Sequence, residues 1–120
     1  MNTSEVLNRA ADLIEERGWV RGSKGWGIFR DDSPLCLEGG ILAALGVKWD
    51  DVDLSEFVEC PAYRAVESYL GIDFDPNGDL IEIWQWNDED QRTANEVIEV
   101  LRACAVIEAS REREAVEVSA

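Results

Sequence analysis

Residues 93–107 read Thr-Ala-Asn-Glu-Val-Ile-Glu-Val-Leu-Arg-Ala-Cys-Ala-Val-Ile. Thr93 and Glu96 have the spacing of a capping box, in which a hydroxyl and a carboxylate each satisfy a backbone N–H at the start of a helix. After them Val97, Ile98, Val100, Leu101, Cys104, Ala105, Val106 and Ile107 leave Asn95, Glu99 and Arg102 as a narrow polar strip. A helix that is apolar around most of its circumference belongs inside a fold, so this segment predicts a helical architecture with the last helix at its centre.

Upstream, the same period recurs. Val6, Ala10, Leu13 and Ile14 predict a first helix, with Thr3 or Ser4 as its cap and Gly18 as a Schellman-type stop in which Trp19 meets Ile14. Ser33-Pro34 has the form of a cap followed by proline at the first helical position, predicting a helix through Leu37, Ile41, Leu42 and Leu45 that ends at Gly46. Gly39 and Gly40 fall inside it and call for a close backbone approach, since each costs up to about 1 kcal/mol relative to Ala. A helical turn is expected near Leu54–Val58, and Pro61 opens a further helix that Gly71 closes. Leu80–Trp86 fits a short helix better than a strand, and the aromatic, glycine-rich run Trp19–Arg30 reads as a minor β-hairpin. The expected fold class is therefore mainly α, a single-domain bundle of four to five helices with a minor hairpin. Residues 1–110 would form the domain and 111–120 a frayed C-terminal tail.

The whole chain bounds its chemistry tightly. Its 120 residues allow one domain, which buries roughly 65% of its unfolded surface. There is no histidine, which removes His-based acid/base chemistry and imidazole metal sites. The three cysteines, Cys36, Cys60 and Cys104, have no metal-ligand spacing. No cofactor and no catalytic residue is expected. No run is apolar for long enough to span a bilayer and no signal-type N-terminus is present, so the expectation is a cytoplasmic protein without a membrane partner. The formal net charge is −15, which argues against direct binding to nucleic acid.

That charge is concentrated. The net is −1 over residues 1–48, −12 over 49–91 and −2 over 92–120. Asp50, Asp51, Asp53, Glu56 and Glu59 are the candidate interaction surface, fitted to a basic groove on a partner protein; a face that merely solubilises the chain is the alternative. Asp73, Asp75 and Asn77, with Gly78, match the opening of a calcium loop, but Trp84 stands where its bidentate acid belongs, leaving a weak cation candidate. Cys36, near a helix N-terminus, is either a thiol of lowered pKa or a packed one. Trp86, Asn87, Asp88 and Arg92 form a candidate ligand corner, or a structural one in which Asn87 and Asp88 bond the local backbone and Arg92 pairs with a nearby acid.

The order Arg17-Gly18-Trp19, Cys36-Leu37-Glu38-Gly39-Gly40-Ile41 and Trp86-Asn87-Asp88 with Arg92-Thr93 and Glu96-Val97 resembles an uncharacterised domain family of actinobacteria and their phages. The resemblance spans most of the chain and is most specific in its last block, while Gly40 stands where that family would have alanine. It implies a small, mostly helical domain and no particular activity. Together the readings and the resemblance lead to a small acidic phage or actinobacterial interaction protein that docks on a host protein, for example one that binds DNA, through its acidic middle segment; the alternative is a small-ligand or nucleotide-binding module at the Trp86–Arg92 corner.

Overall fold

The computed structural model describes residues 1–21, 33–48, 51–71 and 83–119. Six helices lie among them: α1 (Thr3–Arg17), α2 (Leu37–Leu45), α3 (Leu54–Phe57), α4 (Pro61–Leu70), α5 (Ile83–Asp88) and α6 (Ala94–Ser119). Among the described residues there is no strand, only an isolated parallel bridge between Trp19 and Leu35. The chain is thus mainly helical, with more helices than the four to five expected, because α3 and α5 are single short turns. Residues 22–30 of the expected hairpin, with Trp26, lie outside the described residues, as do Trp49, Asp50 and the Asp73, Asp75, Asn77 loop.

The central helix is α1, not α6. It packs against α6 and α2 along most of its length and also touches α4. Val6, Leu7, Ala10, Ala11 and Ile14 form its buried face. Ala10 and Ala11 let neighbouring backbones come close, and Gly40 uses the space: a Cβ there would lie 2.9 Å from Ile14 Cδ1 and 3.4 Å from the Ala10 carbonyl oxygen. Close approach of α1 therefore accounts for the glycine inside α2. In α6, Val97, Val100, Leu101, Cys104 and Ala105 are buried, but Val106 is 69% exposed and Ile107 40%. The apolar arc of α6 is wider than the surface α1 and α4 offer it.

Helix ends follow the predicted signals where the signal is local. Gly46 adopts the left-handed conformation (φ 75°, ψ 20°), donating its N–H to Ala43 O while the Val47 N–H reaches Leu42 O. That is the Schellman pair of bonds. Gly71 (φ 63°, ψ 30°) closes α4 as expected, and Pro61 opens it behind Cys60. Thr93 and Glu96 form the predicted capping box, with Thr93 N–H donating to Glu96 Oε1 at 3.1 Å and Glu96 N–H to Thr93 Oγ1 at 3.2 Å.

Four ends differ from expectation. Asn2, not Thr3 or Ser4, caps α1, its Oδ1 accepting the Glu5 N–H at 2.9 Å. Ser4 is engaged elsewhere, its Oγ and N–H donating to the Glu112 carboxylate at 2.7 and 3.0 Å. Gly18 takes φ 94° and ψ 166°, so α1 leaves in an extended direction rather than through a Schellman turn. The reason is the bridge: Val20 N–H donates to Leu35 O at 3.1 Å and Leu35 N–H to Gly18 O at 2.9 Å. The same bridge holds Leu35 extended, so α2 starts not at Pro34 but after Cys36, which is its N-cap. At the other terminus α6 continues to Ser119 and is tied back to α1 through Glu112.

Candidate functional site

The Trp86–Arg92 residues do converge, at the junction of α5, α6 and the start of α2. Asn87 is fully buried. Its Oδ1 accepts from Trp19 Nε1 at 2.7 Å and from the Leu37 backbone N–H at 3.0 Å, while its Nδ2 donates to Asp88 Oδ1 at 2.9 Å and Val20 O at 3.4 Å. Arg92 lays its guanidinium 3.8 Å from the centre of the Trp86 ring and donates to Trp86 O at 3.0 Å, Glu96 Oε2 at 2.9 Å and Glu89 Oε2 at 2.7 Å. Stacking plus three directed bonds turns Arg92 into a clamp between the end of α5 and the start of α6. With Asn87 using all four of its bonds and Arg92 paired twice, the corner acts as a joint of the fold. Three of the five Arg92 N–H groups and all four hydrogen-bonding positions of Asn87 are engaged within the fold, and Asn87 bonds distant segments as well as its neighbour Asp88.

Cysteine reactivity finds no support in the geometry. Burial pushes the Cys36 thiol up to about 12, against the lowering influence of the Gly39 N–H that donates to its sulfur at 3.2 Å. The lowered value that a helix N-terminus would confer is not realised, because desolvation outweighs the Gly39 and Glu38 amides. Burial likewise pushes Cys104 up to about 12.

The acidic segment presents a different picture. Asp51, Asp53, Glu56 and Glu59 are all exposed on and around α3. Asp53 is structural in part: its carboxylate caps α3, accepting from Ser55 Oγ at 2.6 Å and from the Ser55 N–H at 3.0 Å, and these bonds hold its pKa below the ordinary value. Glu59 meets Arg64 at 3.4 Å, and Arg64 also faces Glu67 at 3.7 Å. Asp51 and Glu56 have no ion-pair partner among the described residues.

Beside these acids lies a groove of about 330 Å³ between the end of α2 and α3. Leu42 and Phe57, both buried, form its floor with Val52, and Leu45 and Val47 form its lip at 41% and 37% exposure. Asp51, Asp53 and Glu56 stand at its mouth. The acids stand out in the sequence by their charge, and this apolar floor does not. Its signal was present in Val52, Leu54 and Phe57, which interrupt the acidic run, and in Leu45 and Val47 flanking Gly46. Among the described residues no helix is long and apolar enough to cross a membrane, and no cluster of three or more Cys, Asp or Glu side chains is placed to hold a metal.

No curated protein and no solved structure matches the chain. Residues 1–106, from the cap of α1 to the buried half of α6, match a family of unknown function (DUF6197), and the chain belongs to that family.

Proposed function

We propose that the protein is an interaction domain that engages a basic partner protein through the exposed acids around α3. The observation that carries this is the separation of two kinds of carboxylate. Glu96, Glu112 and Asp12 are spent on internal bonds to Arg92, Ser4 and Arg102. Asp51 and Glu56 have no such bond among the described residues, and they gather beside an apolar groove within the segment that carries nearly all the excess charge. Unpaired surface charge of one sign costs stability through self-repulsion and is useful for steering an oppositely charged partner. A host protein with a basic groove, such as one that binds DNA, has the required surface. The ligand-module reading has less in its favour, because the polar groups of the Trp86–Arg92 corner already serve each other.

Affinity capture from a host lysate tests the proposal when wild type is compared with a variant carrying Asp51→Asn, Glu56→Gln and Glu59→Gln. The expected result is one basic protein retained by wild type, released by moderate salt and not retained by the variant. Equal recovery by both proteins, or nothing reproducible on either, rejects it.

A further inference from the structure

Charge alone selects poorly among basic proteins, since it accelerates encounter more than it fixes a partner. The groove beside the acids adds the missing selectivity. Its floor is apolar and buried, its lip is apolar and exposed, and its mouth is acidic. At about 330 Å³ the groove lies at the small end of the range of roughly 300–1,000 Å³ found for small-molecule sites, a size suited to an inserted side chain.

We infer that the groove receives one bulky apolar side chain, a Leu, Phe or Trp, from a partner segment that flanks it with Lys or Arg. The apolar side chain rests on Leu42 and Phe57, and the flanking cations meet Asp51, Asp53 and Glu56. Anchors of this kind, desolvated at the centre and ringed by charge, carry most of the energy in protein interfaces. A second copy of this chain is a poor occupant, because its own net charge of −15 would be brought against an acidic mouth. The inference rests on the acidic-docking reading and goes further by naming the chemistry of the partner segment.

The test uses the full chain and three fluorescent twelve-residue peptides: Lys/Ser with one central Phe, the same peptide with Ser for Phe, and the Phe peptide with Glu for Lys. The Phe–Lys peptide is expected to bind at least about tenfold tighter than its Ser control, the factor that burial of one such side chain supplies. That advantage should vanish in a Leu45→Ser/Val47→Ser variant whose melting temperature shows it folded. Asp51→Asn/Glu56→Gln should weaken both Lys peptides together. If the Phe and Ser peptides bind equally, the groove inference fails while the acidic surface stands. If neither Lys peptide binds, both fail. A Glu peptide that binds as well as its Lys counterpart overturns the charge selection. Sedimentation of the chain alone as a dimer that Leu45→Ser/Val47→Ser splits would assign the groove to a second copy and overturn the proposal.

Discussion

Asn87 shows what one side chain can hold together. Trp19 Nε1 and the Leu37 N–H can only donate, so they orient the amide with its oxygen toward both, and its nitrogen then faces Val20 O and Asp88. Replacing Asn87 by Leu keeps the branching and the number of side-chain heavy atoms, but it puts two bulkier methyls in place of the amide oxygen and nitrogen and strands two donors, the Leu37 N–H being buried. The expected cost is about 2–4 kcal/mol, read from urea unfolding, since each unsatisfied buried group costs roughly 1–3 kcal/mol. A loss below about 0.5 kcal/mol would mean that the junction is held by packing alone. The polar character of Asn87 was legible in the sequence but most of its partners were not. Trp19 and Leu37 lie 68 and 50 residues away in the chain, beyond any pattern of local spacing.

The helices divide along the same line. The capping box at Thr93, the proline start at Pro61 and the glycine stops at Gly46 and Gly71 are local chemistry, and the sequence located all four correctly. The start of α2 departs from its local signal because a long-range bridge holds Leu35 extended, and α6 is less central than its pattern implies because periodicity reports apolarity rather than the area available to cover it. The link between α5 and α6 provides two predictions. Gln91 has φ 69°, a left-handed conformation that costs a side-chain-bearing residue roughly 1 kcal/mol, so Gln91→Gly should stabilise by up to about 1 kcal/mol in thermal unfolding. No gain, or a loss, would show that contacts of the Gln91 side chain offset the strain. Glu96 is held below its ordinary value of 4.5, chiefly by its bond to Arg92 and then by Thr93. A depressed carboxylate favours the folded state fully above its unfolded pKa and loses that effect as pH falls through the folded one. The stability difference between wild type and Glu96→Gln should therefore hold steady from pH 7 to about 5 and shrink below 4.5. A difference that stays constant down to pH 3 would separate Glu96 from the cap.

At the scale of the whole molecule, the acids fall into those the fold uses and those it does not, and stability measurements can tell them apart. Glu112 binds both the N–H and the hydroxyl of Ser4, fastening the far half of α6 to the start of α1, and Asp12 meets Arg102 at 2.6 Å between the same two helices. Neutralising Glu112 to Gln weakens a pair of charge-assisted bonds and should cost about 1 kcal/mol. Asp51 and Glu56 have no ion-pair partner among the described residues, on a chain whose net charge is −15. Removing two of those charges relieves repulsion and breaks no ion pair among the described residues, so Asp51→Asn/Glu56→Gln should melt at or above the wild-type temperature at low salt. The gap should close as salt rises to about 0.5 M, because screening then does what the substitutions did. If the acids beside the apolar groove lower stability in the free protein, as the proposed docking role requires, their placement has its use in an encounter with something outside the chain. A double variant less stable than wild type would show instead that these carboxylates support the α2–α3 connection, and the docking surface would lose its main argument.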